Sequence, residues 1–210
     1  MENVRKIIEK DLEKIEGWCS LDKAMFLIKL VEEYSVTSHL ELGVYCGRSL
    51  LPVALAIKEV CSKKSILSDI VGCDSWNLTY TTQGTPDPSR DALRDKWWSQ
   101  IDHTGLFLYT INLMKKYDVH KNVRLIRLSS LEYAKCVDSN SLDMLHQDGN
   151  HSTEISLQEV ELYYDKVKKG GLWVFDDTDF NSTKPAQLKL ESYGYKCIHD
   201  KGSWKVYCRM

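Results

Sequence analysis

Apolar residues at the start of the chain recur at helical spacing. Ile7, Ile8, Leu12 and Ile15 share one face, the pattern breaks near Gly17, and Met25, Phe26, Ile28, Leu30 and Val31 form a second segment, so residues 3–35 are expected to be helical. From there the pattern becomes strand, turn, helix, repeated. SHLELGV (38–44) reads as a short apolar strand, Gly43 and Gly47 bracket a turn, and a helix is expected from Ser49 to Val60 with Pro52 in its first turn, where a missing N–H costs little. DIVGCDS (69–75) is a second strand and NVRLIRLS (122–129) a third, followed by a short helix in SLEYAKCV. SLDMLHQD (141–148) is a fourth strand. The next helix, 152–168, has a broad apolar face of Ile155, Leu157, Val160, Leu162, Tyr163, Tyr164 and Val167, and Gly170-Gly171 is expected to stop it before a fifth strand, LWVFDD (172–177). YKCIHD and SWKVYCR flank Lys201-Gly202 as a hairpin.

Strands alternating with helices predict an α/β fold, a parallel sheet covered on both faces, with the final hairpin adding an antiparallel edge. The 210 residues form one domain in this reading, with an N-terminal helical segment (1–37) and an insertion (76–121). That insertion is far longer than an ordinary connection. It holds the polar run TYTTQGTPDPSR, stiffened by Pro86 and Pro88, then Trp97-Trp98 and a helical piece at 106–117. So many apolar residues predict an ordered insertion over the carboxyl edge of the sheet, a substrate wall rather than a disordered loop.

Composition narrows the function. A net charge of −2, with both signs mixed along the chain, offers no general attraction to nucleic acid or anionic membrane. No apolar run reaches membrane-spanning length, and the charged N-terminus lacks the apolar core of a signal peptide. Seven scattered cysteines without a C-x-x-C pair argue against a zinc ribbon and for free thiols in a reducing, cytoplasmic compartment.

Three groups of residues carry candidate chemistry. ELGVYCGRS (41–49) lies where the first strand turns into its helix; its spacing fits neither the dinucleotide fingerprint nor a phosphate loop, and Glu41 suits a cationic or hydroxyl-rich ligand. The plain alternative is an ordinary turn. Asp74 ends the second strand, where an acid accepts ribose hydroxyls or caps a helix. The sharpest group is DGNH (148–151) with FDD (175–177). Asp148, Asp176 and Asp177 end neighbouring strands about 4.8 Å apart, and converging carboxylates repel unless a cation joins them. Oxygen ligands favour Mg²⁺, Ca²⁺ or Mn²⁺, and His151 stands ready to take a proton from a substrate hydroxyl. Helix caps and a surface histidine are the bland alternative. Ser129 and Ser130 either face an adenine edge or make a turn; Trp76, Trp97 and Trp98 either stack on a ligand or pack the core; His146 reads as a hydrogen-bonded core residue.

ELGVYCGRS, VGCDSW and above all SLDMLHQDGNHSTEISLQEVELYYDKVKKGGLWVFDD resemble the class I S-adenosylmethionine-dependent methyltransferases of the Methyltransf_24 group, which includes macrocin-type sugar O-methyltransferases and is related to catechol O-methyltransferase. The likeness spans roughly residues 38–178 without the insertion, and Gln147 departs from it by replacing a hydrophobic residue. It implies a Rossmann-like, seven-stranded sheet of order 3-2-1-4-5-7-6 with strand 7 antiparallel. It implies that Glu41, Gly43, Gly47 and Ser49 hold the methionine part of S-adenosylmethionine and that Asp74 binds ribose; Tyr45 and Ser130 are expected as further cofactor-binding residues. It also implies Mg²⁺ on Asp148, Asp176 and Asp177, with His151 as base. The expected reaction is methylation of a hydroxyl on a small molecule, a sugar or nucleotide-linked deoxysugar first. A catechol-like acceptor and a non-catalytic S-adenosylmethionine-binding module are the alternatives. Neither nucleic acid nor a membrane is an expected partner, and a homodimer is left open.

Overall fold

Strand β1 (Ser38–Leu42) is buried along its whole length, which places it at the centre of the sheet. It pairs in parallel with β2 (Asp69–Asp74) on one side and β4 (Leu142–Gln147) on the other. Strand β3 (Val123–Arg127) extends the sheet beyond β2, and β5 (Val167–Asp176) extends it beyond β4. The hairpin of β6 (Tyr195–Asp200) and β7 (Trp204–Arg209) closes the far edge, with β7 antiparallel to β5. The order is therefore 3-2-1-4-5-7-6, as expected. The computed structural model describes all 210 residues.

Side-chain alternation sorts the two cores. Leu172 and Val174 of β5 join Met144 and Val206 against α1 (Glu2–Asp11), α2 (Leu21–Glu33) and α3 (Leu50–Lys64). Trp173 and Phe175 face the other way, with Leu40, Leu42, Leu145 and Tyr207. A fully buried side chain of this kind contributes roughly 1.5–3 kcal/mol. The second face is covered by α7 (Ser130–Tyr133), α8 (Thr153–Tyr163) and α9 (Lys184–Ser192).

Two expected boundaries move. The helix expected over 152–168 ends at Tyr163, so Gly170-Gly171 does not stop it. Pairing with β4 draws Val167 into the sheet opposite Leu142, and Met144 is next matched by Leu172. The glycine pair takes up that irregularity, with Gly170 at φ +76°. The N-terminal helix is likewise two helices, separated by a 3₁₀ turn (Leu12–Lys14) and Gly17 at φ +137°. Ser20 starts the second by accepting the Lys23 N–H at 3.2 Å.

The segment 76–121 holds α4 (Leu78–Thr81), α5 (Arg94–Trp98) and α6 (His103–Lys116). The last is the helical piece expected at 106–117, begun earlier because Asp102 accepts the Gly105 N–H at 2.9 Å. The buried Arg94 fastens the segment by donating to the carbonyls of Thr82 and Gly84, both at 2.8 Å. All seven cysteines are free thiols, and no helix is long and apolar enough to cross a membrane.

Candidate active site

A cavity of about 710 Å³ opens at the carboxyl ends of β1, β2, β4 and β5. This is where open α/β sheets bind ligands. Gly43, Tyr45, Ser49, Asp74, Ser130, Asp148, His151, Asp176 and Asp177 all border it, so nearly every residue singled out in the sequence converges there. Gly47 and Glu41 do not.

The glycine turn serves packing first. Gly43, at φ +84°, lies so close to the backbone of Asp148 and Gly149 that a Cβ would collide with both. Its role is to let the tips of β1 and β4 meet. A Cβ on Gly47 would press on Met114 of α6 at 3.0 Å. Tyr45 follows at φ +49°. Its hydroxyl donates to Glu16 at 2.6 Å, and its ring packs on Trp18. The stretch carrying Glu16 and Trp18 is held by Arg48, which donates to the carbonyls of Ile15 and Cys19, each at 2.8 Å.

Glu41 does not face the cavity; it is fully buried beneath the loop. Ser49 donates its hydroxyl to Glu41 at 2.8 Å, and His146 Nδ1 lies 3.1 Å away. The direct cofactor contact expected of Glu41 is thereby corrected. Burial pushes its pKa up, but His146 and His39 outweigh burial and hold it near 2. Asp74 borders the cavity, yet its carboxylate already accepts the N–H groups of Val44, Tyr45 and Trp76 at 2.7–2.9 Å. A carboxylate has about four acceptor positions, so little capacity remains for a ribose. Ser129 is a cap: it forms a capping box with Glu132 at the start of α7, leaving Ser130 on the cavity wall. Trp76 is buried core, its indole donating to the Tyr45 carbonyl at 2.9 Å. Trp97 and Trp98 border the cavity with Trp18.

The acid cluster departs most from expectation. The three carboxylates do not gather at one point. Donor atoms instead form two triads that share Asp148: one with His146 and Asp176, the other with His151 and Asp177. In the first, a cation is already present. Lys23 of α2, which the sequence reading missed, reaches across and binds Asp176 directly, with Asp148 at 3.8 Å. Asp176 also accepts from His146 Nε2 at 2.9 Å. Burial would raise the Asp176 pKa, but Lys23 and His146 hold it well below the usual carboxylate range. Burial and then Lys23 oppose a proton on His146, yet Asp176 and Glu41 raise its pKa to about 9. Lys23, His146, Asp176 and Glu41 thus form a self-neutral chain of two cations and two anions. Desolvation, and then the Asp176 charge, push the Asp148 pKa well above the usual carboxylate value. A divalent ion here would have to compete with the Lys23 ammonium for Asp176: at about 4 Å from the ammonium it would meet a repulsion of roughly 8 kcal/mol at an effective dielectric of about 20, set against its attraction to the two acids.

In the second triad, Asp177 is the partner of a histidine. His151 Nε2 lies 2.9 Å from Asp177, and Nδ1 is 3.9 Å from Asp91. With a proton on the Nε2 that faces Asp177, a neutral His151 would keep its Nδ1 lone pair. Burial lowers the His151 pKa, but Asp177, with Asp91 and Asp176, outweighs it and the net shift is upward. Phe180 packs edge-on against the ring, 5.0 Å between centroids.

Two more polar residues escaped the sequence reading. Asn150 donates to the carbonyls of Tyr80, Thr81 and Gln83 at 2.7–3.3 Å, tying the insertion to the DGNH turn. Glu159 of α8 is buried at the cavity wall and accepts from Gln147 at 2.7 Å. Burial raises its pKa to about 7. Gln147, which breaks the hydrophobic pattern before Asp148, is thereby explained: it satisfies Glu159 and also accepts from the Trp173 indole at 3.1 Å.

The sheet order, with the cavity over its strand tips, is the architecture of a class I methyltransferase. The Methyltransf_24 family, described as a methyltransferase domain, matches residues 40–178, and the chain belongs to that family. It is an enzyme of methyl transfer. No curated protein matches the chain in sequence. Solved structures share the fold. The O-methyltransferase NovP is 17% identical, with 91% of this chain and 81% of that one covered at a TM-score of 0.65. A putative caffeoyl-CoA O-methyltransferase from Staphylococcus aureus is 16% identical, covering 100% and 91% at 0.58. The SAH-bound methyltransferase PaMTH1 of Podospora anserina is 13% identical, covering 100% and 87% at 0.60.

Proposed function

We propose that this protein transfers a methyl group from S-adenosylmethionine to a hydroxyl of a small, neutral, sugar-like acceptor. One observation carries the choice of a hydroxyl: the His151–Asp177 pair, 2.9 Å apart, beside Asp148 on the cavity wall. An alcohol must lose its proton as its oxygen attacks, and a histidine oriented by a carboxylate is suited to receive it.

The cavity has the capacity for a donor and an acceptor together. S-adenosylmethionine, when bound, supplies an electrophilic methyl group on a sulfonium. The wall from Gly43 and Tyr45 past Asp74 to Ser130 and Glu159 is the side that would hold it. Backbone groups of the turn, rather than Glu41, would face its amino-acid end. The insertion, with Trp18, Trp97 and Trp98, forms the opposite wall, where aromatic faces suit the apolar face of a sugar ring. Every lysine and arginine of the lining is already engaged: Lys23 on Asp176, Arg48 on Glu13, Arg90 on Asp179 and Arg94 on Asp95. Each of these charges is already paired with an acid, so none stands unpaired to meet a diphosphate. This favours a free or glycosidically linked sugar over a nucleotide-linked one. In the step itself, Asp177 fixes the imidazole and His151 Nδ1 takes the hydroxyl proton. Most of the acceleration comes from alignment of the two reactants.

The test is turnover with a panel of sugars, glycosides, nucleotide sugars and catechols, read as S-adenosylhomocysteine formed and as a product heavier by one CH₂. A neutral sugar is expected to be methylated, and His151→Ala to abolish turnover while S-adenosylhomocysteine still binds. Cofactor binding without methylation of any hydroxyl compound would refute the reading.

A further inference from the structure

The Lys23 ammonium lies where acids from two strand ends meet, and its attachment is rigid. Lys23 is the third residue of α2, set by the Ser20 cap, and the segment just before it is clamped by Arg48. The side chain is only 7% exposed and runs beside the Trp204 ring, with Nζ 6.0 Å from its centroid. The strands fix its partners. Glu41 stands opposite His146 in the β1–β4 register, His146 opposite Val174 in the β4–β5 register, and Asp176 is two residues on, on the same face. An ammonium has three donors. One is used on Asp176, and the residue also borders the cavity next to Asp148.

We propose that Lys23 is a built-in cation that takes the place of a divalent ion at Asp148 and Asp176, so that methyl transfer here needs no metal. The inference deepens the methyltransferase reading and rests on it. The remaining ammonium N–H bonds donate to the acceptor oxygen, which stabilises the negative charge that grows on it as His151 removes the proton. No bond to Lys23 forms or breaks; the proton goes to His151, a carbon–oxygen bond forms to the methyl group, and the carbon–sulfur bond that breaks leaves its electron pair on the sulfur of S-adenosylhomocysteine.

Metal binding, rather than activity alone, tests this. Mn²⁺ titration followed by electron paramagnetic resonance is run on the full chain as wild type, Lys23→Met and Lys23→Met/Asp176→Asn. Methionine keeps the apolar stem packed, and circular dichroism checks that each variant is folded. The wild type is expected to bind no Mn²⁺ below millimolar concentration, and its turnover is expected to be unchanged by chelator. Lys23→Met is expected to gain a site about tenfold tighter or more, which the double variant loses. Tight Mn²⁺ binding to the wild type that Asp148→Asn removes overturns the proposal, even if Lys23→Met does not fold. A folded Lys23→Met that gains no Mn²⁺ overturns it too. Calorimetry with S-adenosylhomocysteine on the wild type keeps the two readings apart: a failure to bind it defeats the methyltransferase site, whereas tight Mn²⁺ with normal binding defeats only the role of Lys23.

Discussion

His151 and Asp177 face each other at 2.9 Å, from the turn after β4 and the end of β5. The pairing gives an acid expected among the metal ligands another role in the proposed reaction, that of orienting the proposed base. Replacing Asp177 by Asn keeps the shape but loses the charge. Turnover is expected to fall about a hundredfold or more. Burial opposes a proton on His151 and Asp177 favours it. Its loss should therefore lower the histidine pKa and move the acid limb of the rate profile to lower pH. A pH–rate series on both proteins checks this; an unmoved limb would separate Asp177 from the base.

Gly43 has no room for a side chain, because the backbone of Asp148 and Gly149 lies against it, and its φ is +84°. Gly43→Ala is expected to cost roughly 3 kcal/mol or more. Gly170 has a similar φ of +76° but open space around it, so Gly170→Ala should cost only about 1 kcal/mol. Urea midpoints of the two variants measure the difference, which isolates the steric contribution.

Glu159 gives stability a pH dependence. Burial holds its pKa near 7, above the 4.5 of an exposed glutamate. A raised folded-state value means a contribution fully present below the unfolded pKa and lost as pH climbs through the folded one. Relative to Glu159→Gln, the wild type should lose on the order of 3 kcal/mol between about pH 4.5 and pH 7. Denaturant unfolding of both proteins across that range reads it directly. Parallel curves would show that Glu159 ionises as freely as in the unfolded chain.

Trp18 is 74% exposed at the cavity rim, in contact with Tyr45 and Trp97. Trp18→Ala should change stability by less than about 0.5 kcal/mol. If the ring stacks on the acceptor, KM for that acceptor should rise by about tenfold at unchanged affinity for S-adenosylhomocysteine. Steady-state kinetics against the best sugar of the panel decides it.

Much of this architecture is legible in the residues. Short apolar runs closed by Gly43, Asp74, Asp148 and Asp176 marked the strand ends, and parallel pairing carried those ends to one edge. Patterns within single segments could not say which carboxylates would meet. Lys23 lies 153 residues from Asp176 and sits on a helix whose apolar spacing explains it without chemistry. One signal was available: Glu41 and His146 are ionisable residues within strands expected to be buried, which implies buried partners. The boundary at Gly170-Gly171 misled for a related reason, since glycine ends helices and relieves strand irregularities alike, and only the partner strand distinguishes the two.

Asn150 bonds three carbonyls of one stretch of the insertion, Tyr80, Thr81 and Gln83, from within the DGNH turn, and Thr85 adds a contact to Glu154 just beyond it. The proposed acceptor wall and the proposed base are therefore bolted together. Grafting a foreign 76–121 loop to change the acceptor would leave Asn150 without partners and slacken the turn that carries His151. A working chimera has to exchange residues 150–154 along with the loop.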